Sequence, residues 1–292
     1  MHKHKGITLV GLIVVTLVII FFVIAMLPLF MRTGCRGCRV VCGTNLKGLG
    51  NAIIVYASEH KDKYPQLPGS GPWSKELGFA YDLPKPNFSL DGEQGNVGRT
   101  ISASWYLLVR EADVSPKSFT CPESKQKEFD GKNPQNRDIT DLWDFGNNPY
   151  PHVSYAMHNP YGKFPANGSR AATFAVAADM SPWFENGDIL PPGNKGKHPR
   201  IITANDPNSW RLGLGRFHEQ QKQYTPGQFL LYADGHNSYE TKPNVGVNND
   251  NIYTYWSTDK DPNQQDIEGG TAPTNREPSN DAKSLLDSFL AI

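Results

Sequence analysis

From Ile7 to Met31 the chain runs twenty-five residues without a charged side chain. At a rise of about 1.5 Å per residue this stretch makes a helix of about 37 Å, enough to cross a hydrocarbon core of about 30 Å with some tilt. The run exceeds the apolar core of a secretory signal peptide, about 7–15 residues, and no small-residue cleavage site follows it. It therefore predicts a retained membrane helix. The rest of the 292 residues is polar. Only 38% of the whole chain is hydrophobic, and Gly (27) and Pro (23) are frequent, so a loop-rich, β-containing body is expected rather than a helical bundle. With 29 basic and 29 acidic residues, the chain is too neutral for a dedicated nucleic-acid binder.

The residues ahead of the run, Met-His-Lys-His-Lys, end in Gly6, and Ile7-Thr8-Leu9-Val10 follows at once. This start resembles the prepilin signal of type IV pilins and type II secretion pseudopilins. The resemblance implies that a prepilin peptidase cuts after Gly6 and that the new N-terminal Ile7 is methylated. It also implies other pilin-like subunits as partners and a head outside the bacterial cytoplasmic membrane. Where the family carries a glutamate at the fifth mature position, this chain has Gly11. Pro28 stands at the twenty-second mature position, where the family often has a helix-bending proline. Charge alone argues the other topology: Lys3 and Lys5 precede the helix, whereas Arg32, Arg36, Arg39 and Lys47 follow it.

Beyond the span, Leu46, Leu49, Ile53, Tyr56 and Ala57 recur at helical spacing, predicting an amphipathic stem that ends near Tyr64-Pro65. Its glycines, Gly34, Gly37, Gly43, Gly48 and Gly50, each cost about 1 kcal/mol relative to Ala, predicting a bent or locally unwound stem. The Cys42-x-x-Asn45-Leu-Lys segment resembles the stem of a bacterial group of pseudopilin-like proteins. That group closes its C-terminal part with a His, nine residues, then Asp-Gly. Here His218 and Asp234-Gly235 match that motif with about six extra residues between them. Cys35, Cys38 and Cys42 share one helical face, with Cys121 far off in sequence; they admit a metal or iron–sulfur site or disulfides. An exported chain favours disulfides, with Cys42–Cys121 tying stem to head.

In the head, residues 66–99 lack periodicity and read as a surface insertion. A helix is expected within 104–113, and strands from Ser154-Tyr155 and through Ala171–Asp179. Gln228–Tyr232, the Asp234-Gly235 pair and the segment to Glu240 predict a β-hairpin. Two candidate chemistries emerge. Asp179, His218, Asp234 and His236 offer carboxylate and imidazole for a divalent ion. The oxygen-rich runs 248–251 and 259–266 offer ligands for Ca2+, although neither has EF-hand spacing. From 243 to 292 there are eight acids and three bases, and Ser279–Ala291 has the pattern of a capped amphipathic helix.

The expected organisation is a leader (1–6), a transmembrane helix (7–31), a stem helix (32–64), an α+β head (65–256) and an acidic tail with a short C-terminal helix (257–292). The fold class is α+β and pilin-like, with the stem packed on an antiparallel sheet carrying large loop insertions. A structural, non-enzymatic filament subunit is the leading expectation, with a membrane-tethered binding module as alternative. A tethered metal-dependent hydrolase is a minor alternative, because no Gly-x-Ser-x-Gly, His-Glu-x-x-His or phosphate-loop motif is present.

Overall fold

The computed structural model describes residues 9–31, 34–69, 72–86, 88, 98–190, 227–277 and 279–292, with the side chains of 25–37 left out. Gly6, Ile7 and His218 fall outside the described residues, as does the side chain of Cys35. The chain divides into two units, Met1–Val40 and Val41–Ile292.

In the first unit, helix α1 spans Leu9–Met31. Its large apolar side chains from Leu9 to Ile24 are all exposed. Thr16, its only polar side chain, turns its hydroxyl back to the Leu12 and Ile13 carbonyls (3.1 and 2.8 Å), so the helix presents no unpaired polar group there. Described side chains stop at Ile24, and among the described residues no helix is long and apolar enough to cross a membrane.

Helix α2 spans Gly34–Glu59. From Cys42 onward it buries the face read from the sequence: Cys42, Leu46, Leu49, Ile53, Tyr56 and Ala57. The helix is not unwound at its glycines, since α2 runs without interruption through them. Two of those glycines are packing contacts. A Cβ at Gly43 would come within 2.9 Å of the Phe229 ring, and one at Gly50 within 2.5 Å of Leu231, so their absence lets α2 lie close on a strand.

That strand is β5 (Gln228–Tyr232), which pairs with β6 (Asn237–Glu240) and with β2 (Ala175–Asp179). The sheet continues through β1 (Tyr155–His158) to β7 (Leu290–Ala291), in the order β6-β5-β2-β1-β7, every pair antiparallel. An α+β architecture on an antiparallel sheet is thus what the sequence led one to expect. A separate hairpin, β3 (Phe184–Glu185) and β4 (Asp188–Ile189), turns through Asn186 and Gly187, both at positive φ. Helix α3 (Ile101–Glu111) starts at Thr100, whose hydroxyl accepts from the Ala103 amide, and is buried from Ile101 to Val109. The short helix α4 (Gln264–Gly269) is capped by Asn263.

Two sequence expectations are corrected. Residues 66–99 are not merely a surface insertion, since Leu67, Trp73 and Tyr81 are buried in the main core. The segment 279–292 forms no helix and is no separate tail: it turns at Ser284 and delivers β7 to the sheet edge, with Phe289, Leu290, Ala291 and Ile292 buried. The cause is local. The Ser284 hydroxyl and the Asp287 carboxylate accept from the amides of Leu286 and Lys283, groups a helix would use differently.

Candidate functional site

The β5–β6 hairpin closes with Tyr232 N–H donating to His236 O (2.9 Å) and Gly235 at φ +81, a three-residue loop whose left-handed position needs glycine. The tip is fastened to its neighbours. Lys47 Nζ donates to Gly235 O (2.7 Å), Asn237 Nδ2 to Gly43 O (2.7 Å), and Tyr64 Oη to Ala233 O (3.1 Å). At the tip the Asp234 carboxylate meets the His236 ring, which stacks on Tyr232 at 4.4 Å. The His236 amide, donating to Asp234 Oδ1, holds that carboxyl below the usual carboxylate range.

Asp179 is elsewhere. It ends β2 opposite Tyr155, and its Oδ2 accepts from Phe229 N at the start of β5 (3.0 Å), whereas Asp234 lies past the end of β5. A strand of five residues separates their backbone positions by about 16 Å. The expected metal cluster is therefore corrected: Asp234 and His236 come together, Asp179 does not join them, and His218 is outside the described residues. Among the described residues no group of three or more His, Cys, Asp or Glu side chains is arranged to hold a metal ion. Asp179 and Asp234 therefore do not share one acid–base site.

The oxygen-rich run 248–251 likewise serves the fold. Asn248 and Asn249 take positive φ, and the Asp250 carboxylate is buried facing N–H donors: Trp256 Nε1 (2.8 Å) and Ser288 N (2.7 Å). Carboxylate oxygens committed to N–H groups are not directed at a cation, so Asp250 is a structural acceptor rather than a calcium ligand. In the second run Asp266 accepts from the Ser257 amide through both oxygens (3.0 and 3.1 Å) and lies in the first turn of α4, again a structural use.

Cys42 and Cys121 form a disulfide across 79 residues, with Cα atoms 5.2 Å apart. It joins the stem to the segment after α3 and borders a groove of about 390 Å3 lined by Asn45, Ser118, Thr120, Ser124 and Gln126. A second cleft, about 310 Å3, sits at the end of the stem between Tyr56, His60, Lys63, Tyr64 and Gln66. There the His60 ring stacks on Tyr56 at 3.8 Å; Nδ1 meets Tyr56 O (2.9 Å) and Nε2 meets Glu111 Oε2 (3.1 Å). With both ring nitrogens engaged, this histidine braces the stem end rather than serving as a free base.

Sequence reasoning missed the buried polar centres. Asp144 accepts from Thr100 Oγ1 (2.5 Å), Ser102 Oγ (3.0 Å) and Phe145 N (2.8 Å), and burial raises its carboxyl to about 7. His158 is fully buried between Phe164 O and Phe289 N, and burial lowers it to about 4. Neither stands in a recognisable motif. The Thr100-x-Ser102 start of α3 is the local signal that could have pointed to the donors of Asp144.

No known family model, curated protein or solved structure matches this chain.

Proposed function

We propose that this chain is a membrane-anchored, pilin-like structural subunit of a type II secretion-like or type IV pilus-like assembly. Its head would lie on the extracytoplasmic side of a bacterial cytoplasmic membrane, after cleavage by a prepilin peptidase between Gly6 and Ile7. The observation that carries the reading is the order of elements: an uncharged apolar helix with its described side chains exposed, then a stem helix with one face buried on an antiparallel sheet. A disulfide between stem and head suits an oxidising compartment. The role is that of a building block, with the apolar run as anchor and packing surface.

Expression in a bacterium that contains prepilin peptidase, followed by intact mass measurement of the membrane-extracted protein, tests the reading. The expected mature chain begins at an N-methylated Ile7. A mature chain that keeps Met1 overturns the proposal.

A membrane-tethered binding module is a second reading, favoured by one specific feature: Gly11 stands where the resembled family has its assembly glutamate. In-cell crosslinking separates the two, since a subunit gives a ladder of multimers and a tethered module gives monomers only.

A further inference from the structure

The last residues of the chain are held by an unusual latch. Ser288 N donates to Asp250 Oδ2 (2.7 Å), Leu290 N to Ile252 O (2.8 Å) and Phe289 N to His158 Nδ1 (3.2 Å), while Asn159 N donates to Phe289 O (3.0 Å). Asp287 lies beside this strap, with Oδ2 accepting from Lys283 N (2.7 Å) and Trp256 N (3.0 Å). Trp256 thus joins two carboxylates, giving its indole N–H to Asp250 and its backbone N–H to Asp287. Both are fully buried, and Asp287 Oδ1 is buried with no hydrogen-bond partner among the described residues. The charged groups facing Asp287 are Asp250, Asp281 and Lys283; the Lys283 ammonium donates to Ser279 O and lies over the Tyr255 ring. Among the described residues, the only charged side chain facing Asp250 is Asp287. Two negative charges in one buried site repel and are poorly solvated, so the pair is stable only when it carries a proton.

We propose that the C-terminal strap 284–292 is latched by a proton held on the Asp250–Asp287 pair, and that its loss loosens the strap while the rest of the head stays folded. Burial, followed at Asp250 by the charge of Asp287, raises both carboxyls. Their folded form therefore keeps a proton that the released strap gives up, and the latch weakens as pH rises. His158 acts in the opposite sense and chiefly in acid: burial, aided by the Arg170 charge, keeps it neutral down to about pH 4, so from pH 6.5 upward its effect on the strap is at most about twofold and opposes that of the carboxylates. A comparison from pH 6.5 upward thus reads chiefly the carboxylates.

The test is amide hydrogen exchange of the full chain in detergent at pH 6.5 and 8.5, corrected for intrinsic exchange, with and without 1 mM calcium at roughly physiological salt. Expected is a loss of protection of about tenfold or more at pH 8.5 in peptides covering 284–292, with a clearly smaller loss in β2 and β5. In Asp287→Asn, where no second charge can form, that pH difference should shrink, leaving only the part due to the burial of Asp250. Equal protection of the strap at both pH values overturns the proposal, as does an undiminished difference in Asp287→Asn. So does protection at pH 8.5 restored by calcium, which would make the pair a cation site. Should Asp287→Asn fail to fold, the wild-type comparison and the calcium arm still decide.

Discussion

At the scale of single residues, glycines show most plainly what a sequence hides. Gly43, Gly48 and Gly50 look alike as helix-weakening positions, yet their surroundings differ. A Cβ at Gly48 meets nothing within 4 Å, whereas one at Gly50 meets Leu231 Cδ1 at 2.5 Å. Gly48→Ala should therefore stabilise the head by about 0.5–1 kcal/mol through helix propensity. Gly50→Ala should destabilise it by about 1–3 kcal/mol, because overpacking against β5 outweighs the propensity gain. Thermal melts of the two variants check both signs, and a Gly50→Ala protein as stable as Gly48→Ala would contradict the close approach of α2 to β5. Asp144 carries the same lesson for polar groups. Nothing in its sequence neighbourhood distinguishes it from the exposed Asp141, yet three donors hold it in the core.

At the scale of elements, local periodicity was a good guide wherever one face is buried. The five apolar stem positions from Leu46 to Ala57 are the buried face of α2, and the Asp234-Gly235 signal does close a hairpin. The C-terminal segment was misread because Leu285, Leu286, Phe289 and Leu290 fit a helical stripe. In the structure, Leu285 is 60% exposed while Phe289 and Leu290 are buried at the sheet edge. Side-chain acceptors from Ser284 and Asp287, and a free edge on β1, outcompete a helix of marginal length. The Cys42–Cys121 link belongs to this scale as well. Closing a loop of 79 residues restricts the unfolded chain, so Cys121→Ser should lower stability by about 4 kcal/mol, read as a lower denaturant midpoint. A midpoint equal to wild type would show that the stem is held by packing alone.

At the scale of the whole molecule, buried titratable groups set a pH profile. Burial raises Asp144 to about 7 and Asp281 to about 6, and raises Asp250 and Asp287 as well. Each binds a proton more tightly folded than unfolded, so its contribution is complete below about pH 4 and is lost as pH climbs to 7 and beyond. His158, lowered to about 4, works the other way: it takes a proton in the unfolded chain between 6.5 and 4 and costs stability as pH falls. Four carboxylates oppose one imidazole, so the melting temperature should be higher at pH 5 than at pH 8. Asp144→Asn should flatten that slope, the Asp144 share between pH 5 and 8 being on the order of 3 kcal/mol. A melting temperature that rises steadily from pH 5 to 8 would refute this arrangement. The sequence by itself determined what depends on neighbours along the chain: the uncharged run, the amphipathic stem, the hairpin and the α+β class. Tertiary structure alone decided which glycine touches a strand, that Asp179 and Asp234 lie at opposite ends of the sheet, and that the C-terminus is a strand rather than a helix. Those outcomes depend on burial and on hydrogen-bond partners far apart in sequence, such as Asp250 with Ser288 and Ala175 with Ser288, whose energies no local pattern records.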